Sequence, residues 1–218
     1  MVLTPILPAE PSRDCPLCPR LVEFREEARR LHPDWHNAPV PCFGDPKARL
    51  IIAGLAPGMK GANRTGRPFT GDYAGHLLYG TLLQFGLAEG VYEQRPDDTL
   101  RLKGCVIANS VRCVPPQNKP TPAEIRTCNR FLAGAFALYP KAKIILALGK
   151  IAHDSVLMAL GVKASSYRFG HGSIHEIGST VLFDSYHCSR YNTQTYRLTP
   201  KMFAEVVGAA AARAGLSP

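Results

Sequence analysis

Four short runs rich in Val, Ile and Leu, at residues 49–53, 105–109, 143–147 and 180–185, constrain this 218-residue chain more than any other feature. Each is shorter than an ordinary helix and largely apolar at consecutive positions, the pattern of a strand buried on both faces. Helical periodicities lie between and around them, at residues 19–31, 73–85, 122–138, 150–160 and 200–212. Strands alternating with helices predict an α/β chain with a central four-stranded parallel sheet and helices on both faces, a three-layer αβα sandwich. The length suits one core, so residues 1–218 are expected to form a single domain.

In such sheets ligands bind beyond the carboxyl ends of the strands. Three of the four runs lead into polar or Gly/Pro-rich sequence there: "GLAPG" from Gly54, "NSVRCVPP" from Asn109 and "SYHCSRYN" from Ser185. These loops are expected to share one rim. The first opens a stretch, Gly54 to Gly75, with six glycines and two prolines in 22 residues. Its spacing matches neither a phosphate loop nor a dinucleotide fingerprint, because Lys60 is followed by Gly61 and no G-x-G-x-x-G triplet occurs. The glycines still permit tight turns and a close ligand approach, and Lys60, Arg64 and Arg67 make the loop basic.

The charge supports a polyanionic partner. Lys and Arg number 26 against 17 Asp and Glu, a net +9 with a pI near 9.4. That balance favours nucleic acid or an anionic surface. No run is long and apolar enough to span a bilayer, and the first residues lack the basic-then-apolar pattern of a secretory leader, so a cytoplasmic location and no membrane partner are expected.

Seven cysteines in a reducing compartment are not a disulfide framework. Cys15 and Cys18 form a C-x2-C pair, and Cys113 and Cys128 enclose fourteen residues far downstream. Four thiolates from two segments can close on tetrahedral zinc or on an iron–sulfur cluster. The second pair is wider than a zinc ribbon usually shows, which favours the bulkier cluster. Cys105 reads as a core thiol, and Cys42 and Cys188 sit in loops with no visible partner.

Taken together, the C-P-L-C pair, "GLAPG" with "GANRTGRPFTGD", "NSVRCVPPQNKPTPAEIRTC" and "HCSRYNTQT" resemble the iron–sulfur uracil-DNA glycosylases, family 5 most closely. The resemblance runs from Cys15 to about Pro200. It implies an αβα sandwich, a structural [4Fe-4S] cluster on Cys15, Cys18, Cys113 and Cys128, and excision of uracil from DNA; a monomer is expected. A glycosylase extrudes its base and reads it by stacking and by hydrogen bonds to the Watson–Crick edge. By resemblance Phe69 is the stacking aromatic, Gly54, Ala56 and Gly58 form the wall the nucleotide approaches, and Asn109 offers an amide to uracil O4 and N3–H. His187 matches the histidine that donates to uracil O2 and steadies the leaving group. Lys60, Arg64, Arg67 and Arg190 are expected to contact DNA, Arg190 as wedge or phosphate contact.

One departure matters for mechanism. Where other uracil glycosylases carry an Asp, Glu or Asn in the first motif, this chain has Leu55 and Ala56, which cannot position water. Asp72, three residues after Phe69, is the first candidate for that role and Asn63 the second, with an N-cap as the competing role of Asp72. The apolar pair also extends the expected substrates to hypoxanthine and xanthine. A non-catalytic iron–sulfur protein that binds nucleic acid or senses redox state accounts for the charge and the cysteines, but not for Phe69, Asn109 and His187 on one rim.

Overall fold

The computed structural model describes residues 10–216. In chain order its elements are α1 (Pro19–Leu31), β1 (Phe43–Gly44), β2 (Leu50–Gly54), α2 (Ala62–Thr65), α3 (Tyr73–Gln84), β3 (Ala88–Glu89), β4 (Arg101–Leu102) and β5 (Cys105–Asn109). There follow α4 (Pro122–Leu138), β6 (Ile144–Leu148), α5 (Lys150–Ala159), β7 (Ile174–Ile177), β8 (Thr180–Ser185), α6 (Arg190–Gln194) and α7 (Pro200–Arg213). The central sheet runs β1-β5-β2-β6-β8-β7, and β3 and β4 form a separate antiparallel pair.

The four apolar runs are the parallel strands β5, β2, β6 and β8, and alternate side chains along them feed opposite layers. Leu50, Ile52, Ile107, Leu146 and Phe183 pack on α3 and α7 through Leu78, Leu82, Phe203 and Val207. Ile51, Val106, Ile145 and Leu182 point the other way, onto Leu132 and Ala135 of α4 and Val156 and Leu157 of α5. This is the expected three-layer sandwich, with one correction: the sheet has six strands, not four. The two added edges, β1 on β5 and β7 on β8, are antiparallel. They escape a search for apolar runs because β1 is two residues long and β7 (IHEI) is largely solvent-facing, as sheet edges commonly are.

Local chemistry sets the helix starts. Pro19, Pro122 and Pro200 occupy first-turn positions, where a missing N–H leaves nothing unsatisfied. Thr121 and Glu124 form a reciprocal capping box at α4, and Asp72, Ser189 and Thr199 cap α3, α6 and α7. Among the described residues no helix is long and apolar enough to cross a membrane.

Candidate active site

The loops after β2, β5 and β8 meet over a cavity of about 420 Å³. Sheet register brings the first two together, since Gly54 and Asn109 are paired at the ends of adjacent strands. Ser110 then ties the loops by donating from both N and Oγ to the Gly54 carbonyl, each at 2.9 Å. A Cβ built on Gly54 would stand 2.3 Å from Asn109 Oδ1 and 3.0 Å from the Phe69 ring. Glycine here is what lets the aromatic and the amide share one wall.

Phe69 lies in the left-handed region, with φ of 53°. That conformation is strained for a bulky side chain and persists only where its surroundings impose it. Here Tyr92 Oη donates to its carbonyl at 3.0 Å and Tyr79 Oη donates to the carbonyl of Pro68. The Phe69 ring is 7% exposed and faces His187, with centroids 5.9 Å apart and planes 27° from parallel. Asn109 is buried, and its Oδ1 has no hydrogen-bond partner among the described residues. A buried acceptor left open in a pocket calls for a ligand donor. Burial pushes the His187 imidazole down to about 4, so it is neutral at physiological pH and able to donate one N–H.

Asp72 is the N-cap of α3 and also lines the cavity. Its Oδ1 accepts from Gly75 N at 3.2 Å. Burial holds its carboxyl above the usual carboxylate range, against the pull of the backbone N–H groups of Gly75 and Ala74. A Cβ built on Gly58 would lie 3.5 Å from Asp72 Oδ2 and 4.0 Å from Asn118 Oδ1, so two oxygens flank one small space. Asn118 was not singled out in the sequence. It sits in the Pro-rich loop after Cys113, where Gln117 and Asn118 both have positive φ, a conformation Asn tolerates better than most residues.

Two site expectations do not survive. Asn63 is 1% exposed and is not on the cavity wall; its Nδ2 donates to Asn37 Oδ1 at 2.9 Å and fastens the glycine loop to the segment after α1. Arg67 is also buried, with two 2.7 Å bonds to Asp98 and one from Nε to Thr70 Oγ1. Its guanidinium lies over the rings of Phe43, Tyr79 and Tyr92, so it builds the loop and has no access to a phosphate. Lys60 and Arg64 are exposed. Ala56 and Gly58 line the cavity, and Arg190 does so while stacking on Tyr73 at 5.2 Å.

A second, apolar cavity is lined by Cys15, Cys18, Cys113 and Cys128. Leu21, Val111 and Phe131 pack around it, and Arg112 N donates to Cys128 Sγ at 3.3 Å, a contact suited to a thiolate. Among the described residues the group of His, Cys or carboxylate donors lying within 4.8 Å of one another is a different one, His153, His175 and Asp184. The His153 cluster is a clamp: His153 Nδ1 and His175 Nε2 bond the two Asp184 oxygens at 2.8 and 3.0 Å, and His153 Nε2 reaches Tyr167 O at 3.0 Å.

The strand ends of this three-layer α/β sandwich thus bring an aromatic wall, an open amide acceptor and a neutral histidine to one cavity, a set suited to a flat, polar-edged ligand. The chain belongs to the uracil DNA glycosylase superfamily, whose model matches residues 41–211. Within it, the chain is similar to the type-5 uracil-DNA glycosylase of Thermus thermophilus, 48% identical over 209 residues (93% of this chain, 94% of the relative). It is likewise similar to that of Pyrobaculum aerophilum, 39% identical over 207 residues (93% and 90%). A type-4 uracil-DNA glycosylase from Archaeoglobus fulgidus is 30% identical over 141 residues (63% and 62%).

Proposed function

We propose that this chain is a monofunctional uracil-DNA glycosylase of base excision repair, acting as a single-domain cytoplasmic monomer on an extruded deoxyuridine. The observation that carries the reading is the buried, unpaired Oδ1 of Asn109 beside Phe69. Uracil N3–H satisfies that acceptor, Asn109 Nδ2 donates to O4, and Phe69 covers the ring. The bond from deoxyribose C1′ to uracil N1 breaks with both electrons leaving on the base. Charge then grows on O2, where His187 donates. A neutral imidazole does this without placing a buried cation in the pocket. Water in the space between Asp72 and Asn118 adds to C1′, Asp72 orienting it and offsetting the positive charge on the sugar. The water proton passes to the carboxylate and then to solvent, and the uracil anion takes a proton from solvent.

Lys60, Arg64 and Arg190 meet flanking phosphates, and Leu55 and Ala56 leave the pocket free of a polar group that rejects hypoxanthine or xanthine. Cys15, Cys18, Cys113 and Cys128 hold a [4Fe-4S] cluster whose chemistry is that of a structural staple. Four cysteines from two separated segments around one apolar cavity support that group. An end-labelled duplex with one deoxyuridine, incubated with the protein and resolved on a denaturing gel, tests the activity. A break at the uracil only after alkali is expected. An intact strand, or a break before alkali, overturns it.

A further inference from the structure

Two buried arginines line the cysteine cavity. Arg112 is 1% exposed and Arg25 is 3% exposed. Arg112 comes from the segment after β5, beside Cys113. Its Nη1 is 3.3 Å from Glu10 Oε2 and its Nη2 donates to Cys42 Sγ at 3.1 Å, so a carboxylate answers its charge at close range. Arg25 comes from α1. It sits seven residues beyond Cys18, the N-cap of that helix, and so on the same helix face as the ligand cysteine.

Arg25 has no carboxylate within hydrogen-bond distance among the described residues. Its Nη1 donates to the carbonyl of Cys15 at 3.2 Å, but its Nε is buried with no hydrogen-bond partner among the described residues. Glu26 Oε1 stands 3.7 Å from that nitrogen, beyond a hydrogen bond. Glu26 is itself half exposed and accepts from Arg29 at 2.9 Å. A guanidinium taken out of water with a donor unpaired is costly, and the apolar residues around the cavity do nothing to offset it. The same cavity receives four cysteines. Once deprotonated on a metal centre they bring an excess of negative charge and sulfur lone pairs next to that donor.

We propose that Arg25 is a positioning residue for the cysteine-bound cluster, its Nε–H donating into the shell of ligand sulfurs and its charge offsetting theirs. This rests on the cluster reading above. Hydrogen bonds to sulfur and nearby net charge are the levers that set the potential of such clusters, and outer-shell partners help to retain the metal. A buried cation also favours the reduced cluster, which carries one more negative charge, so Arg25 raises the reduction potential.

The test uses the full chain purified without oxygen, as wild type, Arg25→Met and Arg25→Lys. Iron and sulfide content, the rate of iron release to a chelator and the midpoint potential are measured on each. Arg25→Met is expected to release iron at least about tenfold faster, the lower end of outer-shell effects on metal affinity, and to titrate at a lower potential. Arg25→Lys keeps the charge without the planar fork. It is expected to release iron faster than wild type with a smaller drop in potential. If Arg25→Met does not fold, the Lys variant decides: faster release supports the assignment and wild-type release overturns it. Iron-loaded wild type with both variants unchanged in rate and potential overturns the role of Arg25 alone. Wild type purified without iron and sulfide overturns the cluster reading and this inference with it.

Discussion

Gly54 and Asn109 reach the pocket as register partners on adjacent strands, whereas Cys18 and Cys113 reach their cavity from distant segments that share no sheet. The pocket stands on the carboxyl ends of β2, β5 and β8, inside the two large apolar clusters of the sandwich. The cysteine cavity depends on a small cluster of Leu21, Val111, Cys128 and Phe131, with α1 laid against the rest through it. The sandwich therefore preorganises the pocket, while the cysteine cavity rests on a small apolar cluster that the proposed metal centre would close. Small apolar clusters contribute little on their own, and metal binding supplies folding free energy where the site does not exist in the unfolded chain.

The largest effect should come from breaking that second region. On the proposed cluster reading, Cys18→Ser removes one ligand while leaving the start of α1 intact, since the Cys18 side chain makes no capping bond and serine caps well; a loss on the order of 3 kcal/mol or more is expected, in the range of a removed covalent staple. Hydrogen exchange should show the loss confined to α1 and residues 113–121, with β2, β5, β6 and β8 still protected. Excision should fall as well, because Asn118 lies in the loop that Cys113 anchors. Protection lost evenly across the sheet would mean the two regions are one cooperative unit and the contrast is false.

Asp72 tests the first region, because its cap and its proposed catalytic role can be separated. Asn caps a helix about as well as Asp, so Asp72→Asn keeps the start of α3 while removing the carboxylate from the cavity. Excision is expected to drop by about 10²- to 10⁴-fold. Stability should move the other way. A carboxyl whose folded pKa is raised by burial favours the fold when protonated, and that contribution is lost as pH rises through the folded value. At neutral pH the ionised Asp72 thus weighs against the fold, and Asn should raise Tm. The acid limb of kcat/KM in the wild type should fall above the ordinary carboxylate range and vanish in the variant. Near wild-type excision by Asp72→Asn would reduce Asp72 to a cap.

The same contrast explains what the sequence made legible. The four parallel strands announce themselves because burial on both faces demands unbroken apolar runs, while β1 and β7 carry no such demand and stay hidden. Phe69, Asp72, Asn109 and His187 all line the cavity, as the motifs placed them. Asn63 and Arg67 sit in the same glycine-rich stretch and looked equally functional. Residue type does not report burial, and the partner that sequesters Arg67 is Asp98, 31 residues away. Asn118 went unnoticed because its loop read as a spacer between two cysteines, and only the folded chain turns it toward Gly58. Arg25 lay in an ordinary amphipathic helix, where its seven-residue spacing from Cys18 was the one local sign that it faces the cavity.

The smallest predicted effect divides the cations of the glycine loop by the same criterion, those that build from those that bind. Arg64 is exposed and Arg67 is enclosed by Asp98, Thr70 and three aromatic rings. Each phosphate neutralised on duplex DNA adds about 0.9 to the slope of log affinity against log salt. Arg64→Ala should therefore lower the slope by about that amount and weaken binding at low salt, with thermal stability unchanged. Arg67→Lys should leave the slope as it is and lower Tm, because a lysine cannot reproduce the two parallel bonds to Asp98 or the Nε bond to Thr70. Fluorescence anisotropy of a labelled duplex across a salt series reads the slopes, and calorimetry reads the stability. A slope that falls with Arg67→Lys and holds with Arg64→Ala would place the DNA path on the far side of the loop from the exposed basic residues.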